Sequence, residues 1–76
     1  VIRGNSEKTV KPLEVSITPV ESEILNYLGQ GLSNSEIAEA RGVSKVGVQR
    51  VISTLYTKSM TETRTALIRW AIERGF

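Results

Sequence analysis

The sequence contains no cysteine and no histidine. Without thiolates or imidazoles there is no disulfide, no Cys/His zinc site and no triad or acid–base pair built on histidine. Missing cysteines also agree with a reducing, cytoplasmic setting. No apolar run approaches the roughly 20 residues that cross a bilayer, and the N-terminus lacks the basic-then-apolar order of a signal peptide. No membrane partner, cofactor or metal is therefore expected. With 76 residues the chain has interior volume for one core shared by a few short helices, and a deep two-lobed active site is excluded.

A further absence is local. Between Arg41 and Thr61 there is no carboxylate, while Arg41, Lys45, Arg50 and Lys58 lie in that stretch. The net charge of +2 says little about partners, but this distribution marks one segment as built to meet negative charge.

What is present is a series of helix signals. Residues 1–16 mix charge, Gly, Ser and Pro without a sustained period and read as a flexible linker or arm, within which Val10, Leu13 and Val15 are apolar enough to dock on a core. At Thr18-Pro19-Val20-Glu21 a capping hydroxyl, a proline at the first helical position and a glutamate three residues after the cap start a helix. It runs over about 19–30, with Val20, Ile24, Leu25, Tyr27 and Leu28 as its apolar side and Gly29 and Gly31 closing it. Ser33 and Glu36 repeat the start signal for a helix over 34–41, with Ile37, Ala38 and Ala40 inward. Ser44 caps a third over 45–58, and a fourth spans 64–74 before Gly75. The expected fold is all-α, a four-helix domain with a central helix-turn-helix over residues 17–76.

The helix-turn-helix reading rests on the junction between the second and third helices. Ala38 is small enough for a helix to cross close over it, and Gly42 can take the positive φ of a sharp turn. Val43 is expected to plug the corner, Ser44 to cap the next helix, and Val48 and Val51 to seat it. In the third helix Val48, Val51, Ile52 and Leu55 share one stripe, leaving Val46, Gln49, Arg50, Ser53, Thr54 and Thr57 on the other. A plain αα-hairpin would satisfy the junction equally, but a merely solvated helix face ordinarily mixes both signs of charge. A projecting helix of this kind fits the major groove of duplex DNA.

These segments resemble the LuxR-type (FixJ- or NarL-type) C-terminal helix-turn-helix domain of bacterial transcription regulators. The carriers are ITPVESEIL at 17–25, GLSNSEIAEARGVS at 31–44 and ETRTALIRWA at 62–71. The resemblance implies a four-helix unit that binds double-stranded DNA as a homodimer, with a missing N-terminal regulatory domain: a phosphorylatable receiver, as in a response regulator, or a small-molecule sensor, as in quorum sensing. RNA polymerase is a further expected partner of such regulators. Carried over by position, base reading falls on Gln49, Arg50 and Ser53, and phosphate contact on Ser33, Asn34 and Lys58. Val46 on the outward face is a further base-reading candidate, and Lys45, Thr54 and Thr57 are further phosphate candidates. The sequence departs from the family's Thr-Val-Lys-x-His in reading Gly47-Val48-Gln49-Arg50-Val51, so its site preference is not transferable. Gly47 costs about 1 kcal/mol against alanine inside a helix; it is either a point of close backbone approach to DNA or a tolerated substitution.

In the last helix, if Leu67, Ile68, Ala71 and Ile72 face the core, then Ala66, Arg69, Trp70 and Glu73 lie to one side and form a candidate dimer interface, with Arg69 and Glu73 also spaced for a surface ion pair. Trp70 in so small a domain has a competing assignment to the core. Tyr27 and Tyr56 read as core edges. Glu21 and Glu23 are two apart on a helix and point in different directions, so no enzyme activity is expected of them. Two rival functions share the fold: a protein-interaction or heterodimerisation module with weak DNA affinity, and a promoter reader like region four of a sigma factor.

Overall fold

The computed structural model describes residues 16–76. The expected arm over 1–16, apart from Ser16, and the docking expected of Val10, Leu13 and Val15 lie outside the described residues. The order is α1 (Pro19–Gly29), α2 (Asn34–Arg41), α3 (Lys45–Ser59) and α4 (Arg64–Glu73). The described residues are all-α, and each expected helix is present with bounds shifted by at most one residue.

The helix starts arise from local chemistry. Thr18 and Ser33 each accept a hydrogen bond from the N–H three residues on, and Glu21 and Glu36 accept in return from the N–H of the cap, giving two complete capping boxes. Ser44 caps α3 by accepting from the Gly47 N–H at 3.0 Å. The cap of α4 is Thr63, whose hydroxyl accepts from the Ala66 N–H at 3.1 Å. Between α2 and α3 the chain turns at Gly42, with φ 70°, and the Val43 N–H donates back to the Ala38 carbonyl at 3.0 Å. This is the left-handed helix end that glycine allows at little steric cost. Met60 ends α3 in the same region, at φ 57°.

Helix α3 is central and packs against each of the other three. Ile24, Leu28, Ile37, Val48, Leu55 and Leu67 are its fully buried neighbours and members, each worth about 1.5–3 kcal/mol of apolar burial. Tyr27, Val51, Tyr56, Ile68 and Trp70 pack against this core from its edges.

Four inward assignments are corrected. Val20 is 42% exposed and Val43 47%; they stand beside Gly47 and Val51 at the mouth of a shallow apolar groove of about 140 Å³, so the corner between α2 and α3 is left open. Ala40 is exposed because Ile37 and Ala38 already fill the contact with α3, and Ile72 is exposed beyond Leu67 and Ala71. The true inner stripe of α1 is Glu21, Ile24, Leu25 and Leu28, a perfect i, i+3, i+4, i+7 set with a carboxylate in it.

Candidate nucleic-acid interface

Because the apolar stripe of α3 is consumed by the core, its opposite face is turned to solvent. Lys45, Val46, Gln49, Arg50, Ser53, Thr54 and Thr57 are all exposed, and Val46 stands 54% accessible. The face carries two cations and no carboxylate, and Gln49 and Arg50 bring amide and guanidinium donors near the helix start. The hydroxyls of Thr54 and Thr57 donate back to the carbonyls of Arg50 and Ser53, at 3.1 and 3.4 Å. In that rotamer they present lone pairs outward, so donating to a phosphate requires them to rotate.

Beside this face lies an open polar groove of about 460 Å³, bordered by Ser33, Asn34 and Ser35 at the start of α2, Lys45 and Gln49 on α3, and Arg64 on α4. The capping box occupies the N–H groups of Ser33 and Glu36, and the Ile37 N–H donates to the Ser33 carbonyl. The N–H groups of Asn34 and Ser35 have no acceptor among the described residues. Two orphan donors at the positive end of a helix, flanked by Lys45, suit an anionic ligand.

The remaining cations of the basic stretch are engaged within the chain. Lys58, expected to contact phosphate, donates from its ammonium to Glu21 Oε1 and to the Ser16 carbonyl, both at 2.8 Å. Arg41 is paired with Glu23. Burial pushes the Glu21 carboxyl up, but the hydrogen bond from Lys58, the two bonds with Thr18 and the Lys58 charge outweigh it and hold the group below its ordinary value.

Arg64 was not among the expected site residues. Its guanidinium donates to Asn34 Oδ1 at 2.8 Å and to the Leu32 carbonyl at 2.7 Å. One signal for it exists in the sequence: a cation at the first position of α4 opposes the helix dipole, which suggests that its charge is used elsewhere.

On the far side, Ala66, Arg69, Trp70 and Glu73 border an open groove of about 420 Å³ together with the threonines that precede and begin α4. These four residues are brought to one side as expected. The Arg69–Glu73 ion pair is not formed; the ion pairs among the described residues are Arg41–Glu23 and Lys58–Glu21. Trp70 is half-buried, with the Phe76 ring stacked at 6.0 Å and the Arg74 guanidinium 5.1 Å from its ring centroid. It belongs in part to the core edge and in part to this groove. Among the described residues there is no cluster of three metal-ligating side chains and no helix long and apolar enough to cross a membrane.

An all-α unit in which a capped helix, a glycine turn and a second helix present a carboxylate-free face has the form of a helix-turn-helix output domain. The family pattern GerE, "Bacterial regulatory proteins, luxR family", matches residues 15–71, and the chain belongs to that family. It is 39% identical over 67 residues to the response regulator Rre1 of Synechocystis, covering 88% of this chain and 29% of that protein. It is 34% identical over 63 residues to the probable transcriptional regulator ycf29 of Cyanophora paradoxa, covering 83% of this chain and 30% of that one. A crystal structure of the response regulator ChrA, from a heme-sensing two-component system, superposes with a TM-score of 0.77 at 32% identity, covering 90% of this chain and 33% of ChrA. The chain thus spans about a third of the length of these regulators. Two of these relatives are named as response regulators and one as a probable transcriptional regulator, and the chain is a luxR-family helix-turn-helix domain like those that the pattern describes in bacterial regulatory proteins.

Proposed function

We propose that this chain is the DNA-reading unit of a transcription regulator, binding double-stranded DNA in a sequence-specific way with α3 in the major groove. The observation that carries the reading is the continuity of the carboxylate-free face of α3 with the polar groove at the start of α2. Base edges are read by Gln49, Arg50 and Ser53, with Val46 available to a thymine methyl. Ser33, Asn34 and Lys45 grip phosphates, Thr54 and Thr57 do so after rotation, and Lys58 reaches a phosphate only by leaving Glu21. We assign Lys58 to the scaffold for that reason.

A single short recognition helix reads few base pairs, so tight binding requires two copies. The proposed homodimer pairs α4 helices through Ala66, Arg69, Trp70 and Glu73, as weakly as a small patch allows, and a regulatory domain attached at the N-terminal side supplies control. As in other regulators of transcription, RNA polymerase is the downstream partner and the cytoplasm the setting.

The rival reading, a protein-interaction module, is favoured by one observation: two of the four basic residues between Arg41 and Thr61 are tied to Glu23 and Glu21. Titration of the chain with duplex DNA at low and moderate salt separates them. A DNA reader binds with an affinity that falls steeply as salt rises; an interaction module binds no duplex at either salt.

A further inference from the structure

Arg64 begins α4, yet its guanidinium is spent on α2. One terminal nitrogen donates to the Leu32 carbonyl just before the cap of α2, and the other to Asn34 Oδ1. A side-chain amide offers an acceptor at one end and two donors at the other. With Arg64 holding the oxygen, the Asn34 Nδ2 is turned away from it, and among the described residues that nitrogen has no acceptor. Asn34 lines the same groove as Ser35 and Lys45, and the backbone N–H groups of Asn34 and Ser35 have no acceptor among the described residues.

We propose that Arg64 is a positioning residue for DNA-backbone binding, fixing the Asn34 amide with its two N–H donors toward a phosphate and anchoring the segment that leads into α2. The proposal rests on the DNA-reading function above. A planar, two-pronged donor is needed because the two acceptors lie on different residues and must be held at once. A lysine keeps the charge and loses the fork. Freed from Arg64, the Asn34 amide can rotate and offer its oxygen to the phosphate, which is repulsive. The same strut ties the first residue of α4, the proposed pairing helix, to the phosphate groove.

The test is a set of duplex titrations across salt on the intact chain and on Arg64→Lys, Asn34→Ala and the double variant, with thermal melts of each. Arg64→Lys is expected to bind roughly tenfold more weakly, about the loss of one charge-assisted hydrogen bond, with the salt slope unchanged because no charge is removed. In the Asn34→Ala background Arg64→Lys should cost clearly less affinity than in the wild type, leaving only the share carried by the Leu32 anchor, while a cost in melting temperature persists. Should Arg64→Lys fail to fold, Asn34→Asp replaces it: the carboxylate still accepts from Arg64 and suits the first turn of α2, so the fold survives, but the N–H donors are gone and binding should fall more than tenfold. Additive affinity losses in the double variant, or an Asn34→Asp chain that binds as the wild type does, would overturn the proposal. If the wild-type chain shows no salt-dependent duplex binding, the DNA-reading function fails first and takes this inference with it.

Discussion

Glu21 and Lys58 join the start of α1 to the end of α3 through a carboxylate–ammonium contact of 2.8 Å, with the Glu21 side chain only 9% exposed. The same carboxylate oxygen accepts from the Thr18 N–H. One atom therefore completes a helix cap and clamps two helices together, which is why a charge is tolerated in the inner stripe of α1.

The clamp makes stability depend on pH. The Glu21 carboxyl titrates below its ordinary value of 4.5 in the folded state, so its contribution is fully present above that value and is lost as the pH falls through the lower, folded one. Acid titrations followed by circular dichroism should show a loss of stability below about pH 4.5 that is reduced in Glu21→Gln. Glu21→Ala should cost about 1.5–3 kcal/mol at neutral pH, the value of a hydrogen bond to a charged group. A variant as stable as the wild type at pH 7, with the same acid profile, would remove Glu21 from this role.

Arg50 is expected to carry the largest share of base discrimination, since its fork alone on this face matches the O6 and N7 acceptors of guanine. Arg50→Ala should lose roughly 1–3 kcal/mol on a selected site and little on random duplex. Gln49→Ala should do the same at an adenine. Equal losses on both duplexes would assign Arg50 to phosphate.

With Lys58 and Arg41 paired internally, the cations left on the proposed DNA face among the described residues are Lys45 and Arg50. The salt dependence of a single domain should correspond to about two or three phosphates, a log–log slope of roughly −2 to −3. Lys58→Met should lower the melting temperature and leave that slope intact, whereas Lys45→Met should flatten it by about one. A slope that flattens with Lys58→Met would return Lys58 to the DNA interface.

Arg69 and Glu73 are exposed and unpaired with each other within the chain, which leaves both available to a two-fold partner. Arg69→Glu should abolish cooperative occupancy of a duplex with two half-sites while half-site binding persists, and the added exchange Glu73→Arg should restore it. Trp70→Ala is a less selective probe: with Phe76 and Arg74 packed on the indole it should also cost stability, seen as a lower melting temperature. Cooperativity that survives Arg69→Glu would place the pairing surface elsewhere.

The amino-acid sequence by itself determined the parts governed by neighbours three or four residues apart. The caps at Thr18, Ser33 and Ser44, the turn at Gly42 and the two faces of α3 follow from hydrogen bonds and periodicities that act within one turn of chain, and they suffice for an all-α helix-turn-helix unit with an exposed polar face. The tertiary structure alone decided which charges that face keeps. Lys58 meets Glu21 across 37 positions and Arg64 meets Asn34 across 30, distances at which periodicity carries no information and only the packing of α1 and α4 around α3 brings the groups together. Glu21 could not be read as an inner residue, because its burial is favourable only with Lys58 beside it, and Val20 could not be read as outer, because its exposure depends on how the α2–α3 turn and the first half of α3 stand beside α1. Trp70, placed off the buried stripe by its helical angle, is half-covered because the chain after α4 folds back at Gly75 and sets Phe76 on the indole.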